Sequence, residues 1–219
     1  MAHIERQALE RASSLQAARA IVDSFCYDRT IYTDEDVHLK RGICKSLAEE
    51  YCPLVRLAQE HWLVRSVRLF PGCNPGPDGE IRFWWRQSSK VQIVCANEGY
   101  SRALMREQLA NGDIVFPQQD RARNKNRVTN EVVSMGRALT TPDADYRMRV
   151  QRILEAIGAK ESKFYPGTDT LLVQDDVASF AHLRESGLHL KICEAIREGI
   201  GRQYARIYII YGNRLDRAK

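Results

Sequence analysis

The sequence predicts an α/β protein with a mixed central β-sheet flanked by helices and a helical segment placed before it. Three observations carry that expectation. Short apolar runs of strand length recur at residues 90–96 (KVQIVCA), 170–174 (TLLVQ) and 205–211 (ARIYIIY). Other segments repeat their apolar residues at helical spacing, as Val150, Ile153, Leu154 and Ile157 do. The two kinds of segment follow one another along the chain, the order that covers a sheet with helices.

The elements follow in order. Residues 4–25 are rich in Ala, Leu, Glu and Arg and read as one amphipathic helix with a face near Leu15, Ala18 and Val22. Residues 1–30 are therefore expected to form a helical appendage, and 31–219 the main domain. A second helix is predicted from Thr33, where Thr33 and Asp36 resemble a capping box with Asp in place of Glu. Ile43, Leu47, Glu50 and Leu54 share one face of it, so Glu50 points with the apolar residues, and Pro53 kinks or restarts the helix. Residues 63–70 read as a strand, and 71–79, with three prolines and three glycines, as a loop. Strands at 80–86 and 90–96 are joined by a short hairpin connection at 87–89.

Beyond the hairpin, a helix is predicted at 99–110, a short strand at 113–116, a polar basic loop at 117–130 and a helix at 128–139. A clear helix follows Thr141-Pro142 and ends before Pro166-Gly167. Residues 170–174 form a buried-type strand, about 188–198 a helix, and 205–211 another apolar strand. Gly212-Asn213 is expected to turn the chain into a basic tail carrying Arg214, Arg217 and Lys219.

The bulk numbers bound the function. A chain of 219 residues, 44% hydrophobic and 28% charged, can bury a sizeable core, which argues against disorder along its whole length. The net charge of +5 permits a polyanionic partner without requiring one. The six cysteines make no C-x-x-C pair and no zinc-finger spacing with histidine, so they read as small core residues with free thiols. The first residues are polar, and no apolar run is long enough to span a bilayer. The expectation is a cytoplasmic protein with no membrane partner.

Pro77-Asp78, followed by the paired strands at 80–86 and 90–96, resembles the PD-(D/E)XK phosphodiesterases. The resemblance covers roughly residues 36–215 and implies a restriction-endonuclease-like core. In that family an Asp opening one hairpin strand and an acid on the next strand bind a divalent metal. A Lys two residues past the acid assists the attacking water, and a Glu from the preceding helix often completes the site. Hard carboxylate oxygens suit Mg²⁺, which stabilises charge on a phosphoryl group.

Carried over by position, Asp78 matches the first motif, Gln92 stands where the second acid belongs, and Val94 where the Lys belongs. Glu50 matches the helix glutamate, with Glu49 as a rival. A pattern of Lys and Tyr before an apolar strand reads here as Lys160, Lys163, Tyr165 and then 170–174. Lys160 lies close to the helical phase of Ile153 and replaces the missing Lys in this reading, with Lys163 less favoured. The resemblance thus implies a DNA-cutting enzyme using Mg²⁺. Asp78, Gln92 and Glu50 would hold the metal, and Asp78, Gln92 and Lys160 would serve catalysis. Arg121, Arg123, Lys125 and Arg127 are the first candidates for phosphate contacts.

Plainer roles stand beside these. Asp78 is a turn former by default. Gln92 can be an ordinary strand amide, Glu50 the partner of an arginine, and Lys160 a residue whose charge suits a helix end. Trp84 and Trp85 are expected on a strand, facing opposite ways, one of them in the core. The histidines show no metal spacing. The loss of both acid and Lys at 92 and 94 also fits a catalytically degenerate protein that binds nucleic acid or a protein partner, and residues 1–30 suit a dimer arm or a clasp on another protein. An unrelated α/β protein with coincidental matches is the third reading.

Overall fold

A computed structural model describes residues 5–27, 42–70, 76–85, 87–96, 142–163, 165, 167–175, 185–212 and 214–219. The expected helices at 33, 99–110 and 128–139, the strand at 113–116 and the basic loop at 117–130 lie wholly or partly outside these residues. Two short helical elements lead the chain, α1 (Arg6–Glu10) and α2 (Leu15–Tyr27). Next come α3 (Ile43–Ser46), a π-helical turn (Leu47–Tyr51) and α4 (Cys52–Gln59). Strands β1 (Val64–Leu69), β2 (Gly79–Phe83) and β3 (Ser88–Cys95) are followed by α5 (Pro142–Glu161), β4 (Thr170–Asp175), α6 (Glu185–Glu198), β5 (Arg206–Tyr211) and β6 (Arg214–Arg217).

The six strands form one mixed sheet in chain order, β1 to β6. β1, β2 and β3 are antiparallel, β4 and β5 run parallel to β3, and β6 returns antiparallel to β5. The central strands β4 and β5 are apolar on both faces because both faces are covered. On one face Leu54, Leu57 and Ala58 of α4 join Val67, Ile81, Val91, Ile93, Leu172 and Tyr208 in a core cluster. Leu9, Ala18 and Phe25 belong to the same cluster, so the leading helices are built into this layer. On the other face Ile153 and Ile157 of α5 and Leu188, Ile192 and Ile196 of α6 close over Leu171, Val173, Ile207 and Ile209. A buried ion pair of Arg149 and Asp175, with Nη2–Oδ2 at 2.5 Å, sits at the carboxyl end of β4. Among the described residues no helix is long and apolar enough to cross a membrane.

Four expectations need correction. The single helix over 4–25 is broken at residues 11–14, where Ser13 exchanges two backbone hydrogen bonds with Val67 of β1. The Ser14 hydroxyl then accepts from the Ala17 N–H at 3.2 Å and starts α2 afresh. The hairpin closes early: Phe83 donates its N–H to the Gln87 carbonyl, which leaves Trp84 and Trp85 in the turn. Neither fills the core; they are 64% and 49% exposed, with Trp85 stacked on Phe83. Finally, the basic tail is a strand, since residues 214–217 pair with β5.

Pro53 behaves as its chemistry demands. It sits in the first turn of α4, where its missing N–H is not needed. Just before it the Cys52 N–H bonds to the Leu47 carbonyl, the five-residue spacing that defines the π-turn. Glu49 and Glu50 lie on that wide turn.

Candidate active site

The site begins with Gly79. A side chain there would put its first carbon 2.5 Å from Leu54 Cδ2 and 2.9 Å from the Arg68 carbonyl. Only glycine lets β2 lie this close to α4. Asp78, one residue earlier, is therefore fixed against the sheet. Its N–H donates to the Val91 carbonyl and its carbonyl accepts from the Phe70 N–H, both at 2.9 Å.

The pairing of Gly79 with Val91 sets Asp78 opposite Gln92, and the two side chains meet. Gln92 Nε2 donates to Asp78 Oδ2 at 2.5 Å, and the Ile93 N–H donates to the same oxygen at 2.6 Å. Gln92 is 2% exposed, and its Oε1 is buried with no hydrogen-bond partner among the described residues. A buried, unsatisfied acceptor beside a carboxylate is costly unless something else fills the position.

The charges around this pair matter most. Burial raises the Asp78 pKa above the usual aspartate value, against the lowering effects of the Ile93 N–H and the Lys160 charge. Glu50, half-buried on the π-turn, is also raised, first by burial and then by the negative charge of Asp78, while Arg6 and Lys45 pull the other way. Two carboxylates thus feel one another, and neither ionises as easily as in water. Lys160, in the last turn of α5, lies 5.2 Å from the Tyr165 ring centre.

The candidates separate on this geometry. Asp78 and Gln92 touch, the Lys160 charge pulls the Asp78 pKa down, and the Asp78 charge pushes that of Glu50 up. Lys163 is exposed at the helix end and is not among the groups that shift Asp78. Val94 packs against the core cluster under α5. Arg121, Arg123, Lys125 and Arg127 lie outside the described residues.

Two groups escaped sequence reasoning. Tyr204 is buried, and burial pushes its pKa up to about 12 against a hydrogen bond with Gln203, with Asp78 among the charges adding to the rise. The Tyr and Lys before β4 hinted at this wall of the site, but nothing near residue 204 did. The second group is an ion-pair cluster on the same sheet face. Glu80, 4% exposed, accepts from Arg68 Nε and Arg82 Nε, each at 2.8 Å. Burial alone would raise its pKa, but hydrogen bonds from Arg82, Arg68 and the Ser88 hydroxyl hold it below the usual glutamate value.

Could a metal fit? Among the described residues no three His, Cys, Asp or Glu side chains gather as a metal site. The set here is smaller in charge: two carboxylates that resist being ionised together, plus one orphaned amide oxygen. All are hard oxygen donors of the kind Mg²⁺ takes, and a cation would satisfy the amide and relieve the repulsion. Compared with known proteins, the chain matches no family model, no curated protein and no solved structure.

Proposed function

We propose that this protein is a divalent-metal-dependent phosphodiesterase that cuts DNA, a divergent relative of the PD-(D/E)XK nucleases. One observation carries the reading: Asp78 and Gln92 converge from adjoining antiparallel strands, within electrostatic reach of Glu50 and Lys160. The element order supports it as well. A helix, three antiparallel strands, a helix and a strand parallel to the third follow in the sequence expected of a restriction-endonuclease-like core.

In this reading Asp78, Glu50 and the Gln92 amide oxygen hold Mg²⁺. The bound ion would polarise a phosphoryl oxygen and make a water more acidic. Asp78 is oriented for this role by the Ile93 N–H and the Gln92 amide, which fix one of its oxygens. The Lys160 ammonium, whose charge reaches Asp78, would orient the attacking water and offset charge on the phosphate. Tyr204, buried with an un-ionised hydroxyl, lies within reach of the Asp78 charge.

The test is plasmid DNA incubated with Mg²⁺ or Mn²⁺. Cleavage is expected, and Asp78→Ala should lower it by about 100-fold or more, the scale of a lost metal ligand. Cleavage that survives this change in full would sink the assignment. A second reading, a degenerate binding module, is favoured by the neutral Gln92 and the apolar Val94, which together remove one anion and one amine. Salt-sensitive DNA binding with no cleavage under any divalent ion would select it.

A further inference from the structure

The three antiparallel strands carry a grid of side chains on the face that holds Asp78. Residues that alternate along a strand share a face, and register partners stand side by side. Phe70, Asp78 and Gln92 form the first row. Arg68, Glu80 and Lys90 form the second. Ser66, Arg82 and Ser88 form the third. Each row lies about 7 Å from the next, two residues of extended chain.

The second and third rows are strongly cationic: Arg68, Arg82 and Lys90 stand against the single anion Glu80. The arginines are also held in place. Both bond Glu80 Oε2 through Nε alone, at 2.8 Å. That leaves the terminal amino groups of each guanidinium without a hydrogen-bond partner among the described residues. Arg68 further lies over the Phe70 ring, 4.8 Å from its centre. Their side chains remain 32% and 46% exposed while the glutamate beneath is nearly covered. A buried carboxylate that pre-orients two exposed guanidinium forks suits a polyanion better than it suits stability, because the forks match phosphate oxygens and little freedom is lost on binding.

We propose that Arg68, Arg82 and Lys90, with the two arginines organised by Glu80, form a phosphate-binding face that grips the DNA backbone next to the Asp78–Gln92 site. The choice of DNA rests on the reading of that site as a nuclease. The charge complementarity itself comes from the grid. Phosphate contacts fix position and carry no sequence information, so this face sets where a strand lies relative to Asp78 and leaves sequence choice to other groups.

The test measures binding and cleavage separately on the full chain. Fluorescent duplex DNA is titrated at several salt concentrations in Ca²⁺ or without divalent ions. The variants are Arg68→Gln, Arg82→Gln and Lys90→Ala. Each arginine change leaves one guanidinium on Glu80, so no buried charge is stranded. Lys90→Ala removes no side-chain contact described above, so it keeps the test informative should an arginine variant fold poorly. Each is expected to weaken binding by about 5-fold or more at low salt and to reduce the salt slope by about one. Variants that fold and bind as the parent does would overturn the face while leaving a Mg²⁺-dependent, Asp78-dependent cleavage untouched. No binding by the parent at low salt would overturn it too. Parent binding that depends on these cations, in a protein that never cleaves, would uphold the face and reject the nuclease reading.

Discussion

Asp78 and Glu80 stand two residues apart on one face of the sheet, and their surroundings push them in opposite directions. Glu80 receives two guanidinium groups and a hydroxyl, and it stays ionised despite burial. Asp78 receives an amide and a backbone N–H, both neutral, with Lys160 acting at longer range, and its pKa rises. Glu50 offers it no relief, since the Asp78 charge pushes the Glu50 pKa up in turn. The difference separates two uses of a buried acid. One has its charge compensated within the protein and acts as an organiser. The other is left short of positive charge, the condition under which an added cation gains most.

The comparison can be broken by exchanging each acid for its amide. Glu80→Gln should have the largest effect, a loss of about 1–3 kcal/mol in urea unfolding at neutral pH, because two charge-assisted hydrogen bonds lose their anion. The sign follows from a depressed folded-state pKa: the contribution is present above the unfolded glutamate pKa and lost as pH falls through the folded value. The gap between parent and variant should therefore close in strong acid. Asp78→Asn should act in reverse and more weakly. A raised pKa means the Asp78 contribution is complete below the unfolded aspartate pKa and lost as pH rises through the folded value. The variant should then be somewhat more stable than the parent at neutral pH, and a destabilised Asp78→Asn would contradict the account. The smallest effect concerns metal. Millimolar Mg²⁺ should raise the melting temperature of the parent by about 1–3 °C and leave Asp78→Asn unmoved.

The parts of this contrast were unequally legible in the sequence. Asp78 and Gln92 were singled out by the resemblance and not by register: a loop at 87–89 would set Gln92 opposite Trp84, and closure at Phe83 is what brings it to Asp78. Lys160 came from the family pattern of Lys and Tyr before an apolar strand, with helical phase favouring it over Lys163. Glu50 was placed on the right helix, but the π-turn that carries it was visible only as a proline that had to interrupt the hydrogen bonds. The Glu80 cluster could not be read. It depends on the pairing of β1 with β2 across a long Pro/Gly-rich segment, and nothing within residues 63–70 says which arginine faces which acid. The β6 strand was missed for a related reason: RLDR is short and has no buried side chain, so it lacks the apolar alternation that marks a strand. The two tryptophans misled because aromatic residues favour strands, yet turn closure at Phe83 took precedence. The break in the first helix did have a local signal, the Ser13-Ser14 pair inside an otherwise Ala- and Leu-rich run.

The bridge between Ser13 and Val67 has a consequence for how the molecule avoids its own kind. β1 is the border of the sheet, and its outer backbone groups are a template onto which another chain could add. Ser13 occupies the middle of that border with two hydrogen bonds, while Leu9 and Ala18 on either side bury their side chains. The leading residues thus serve as a built-in guard rail. A copy shortened before Leu15 would keep the Asp78–Gln92 pair and lose its protection against sticking edge to edge.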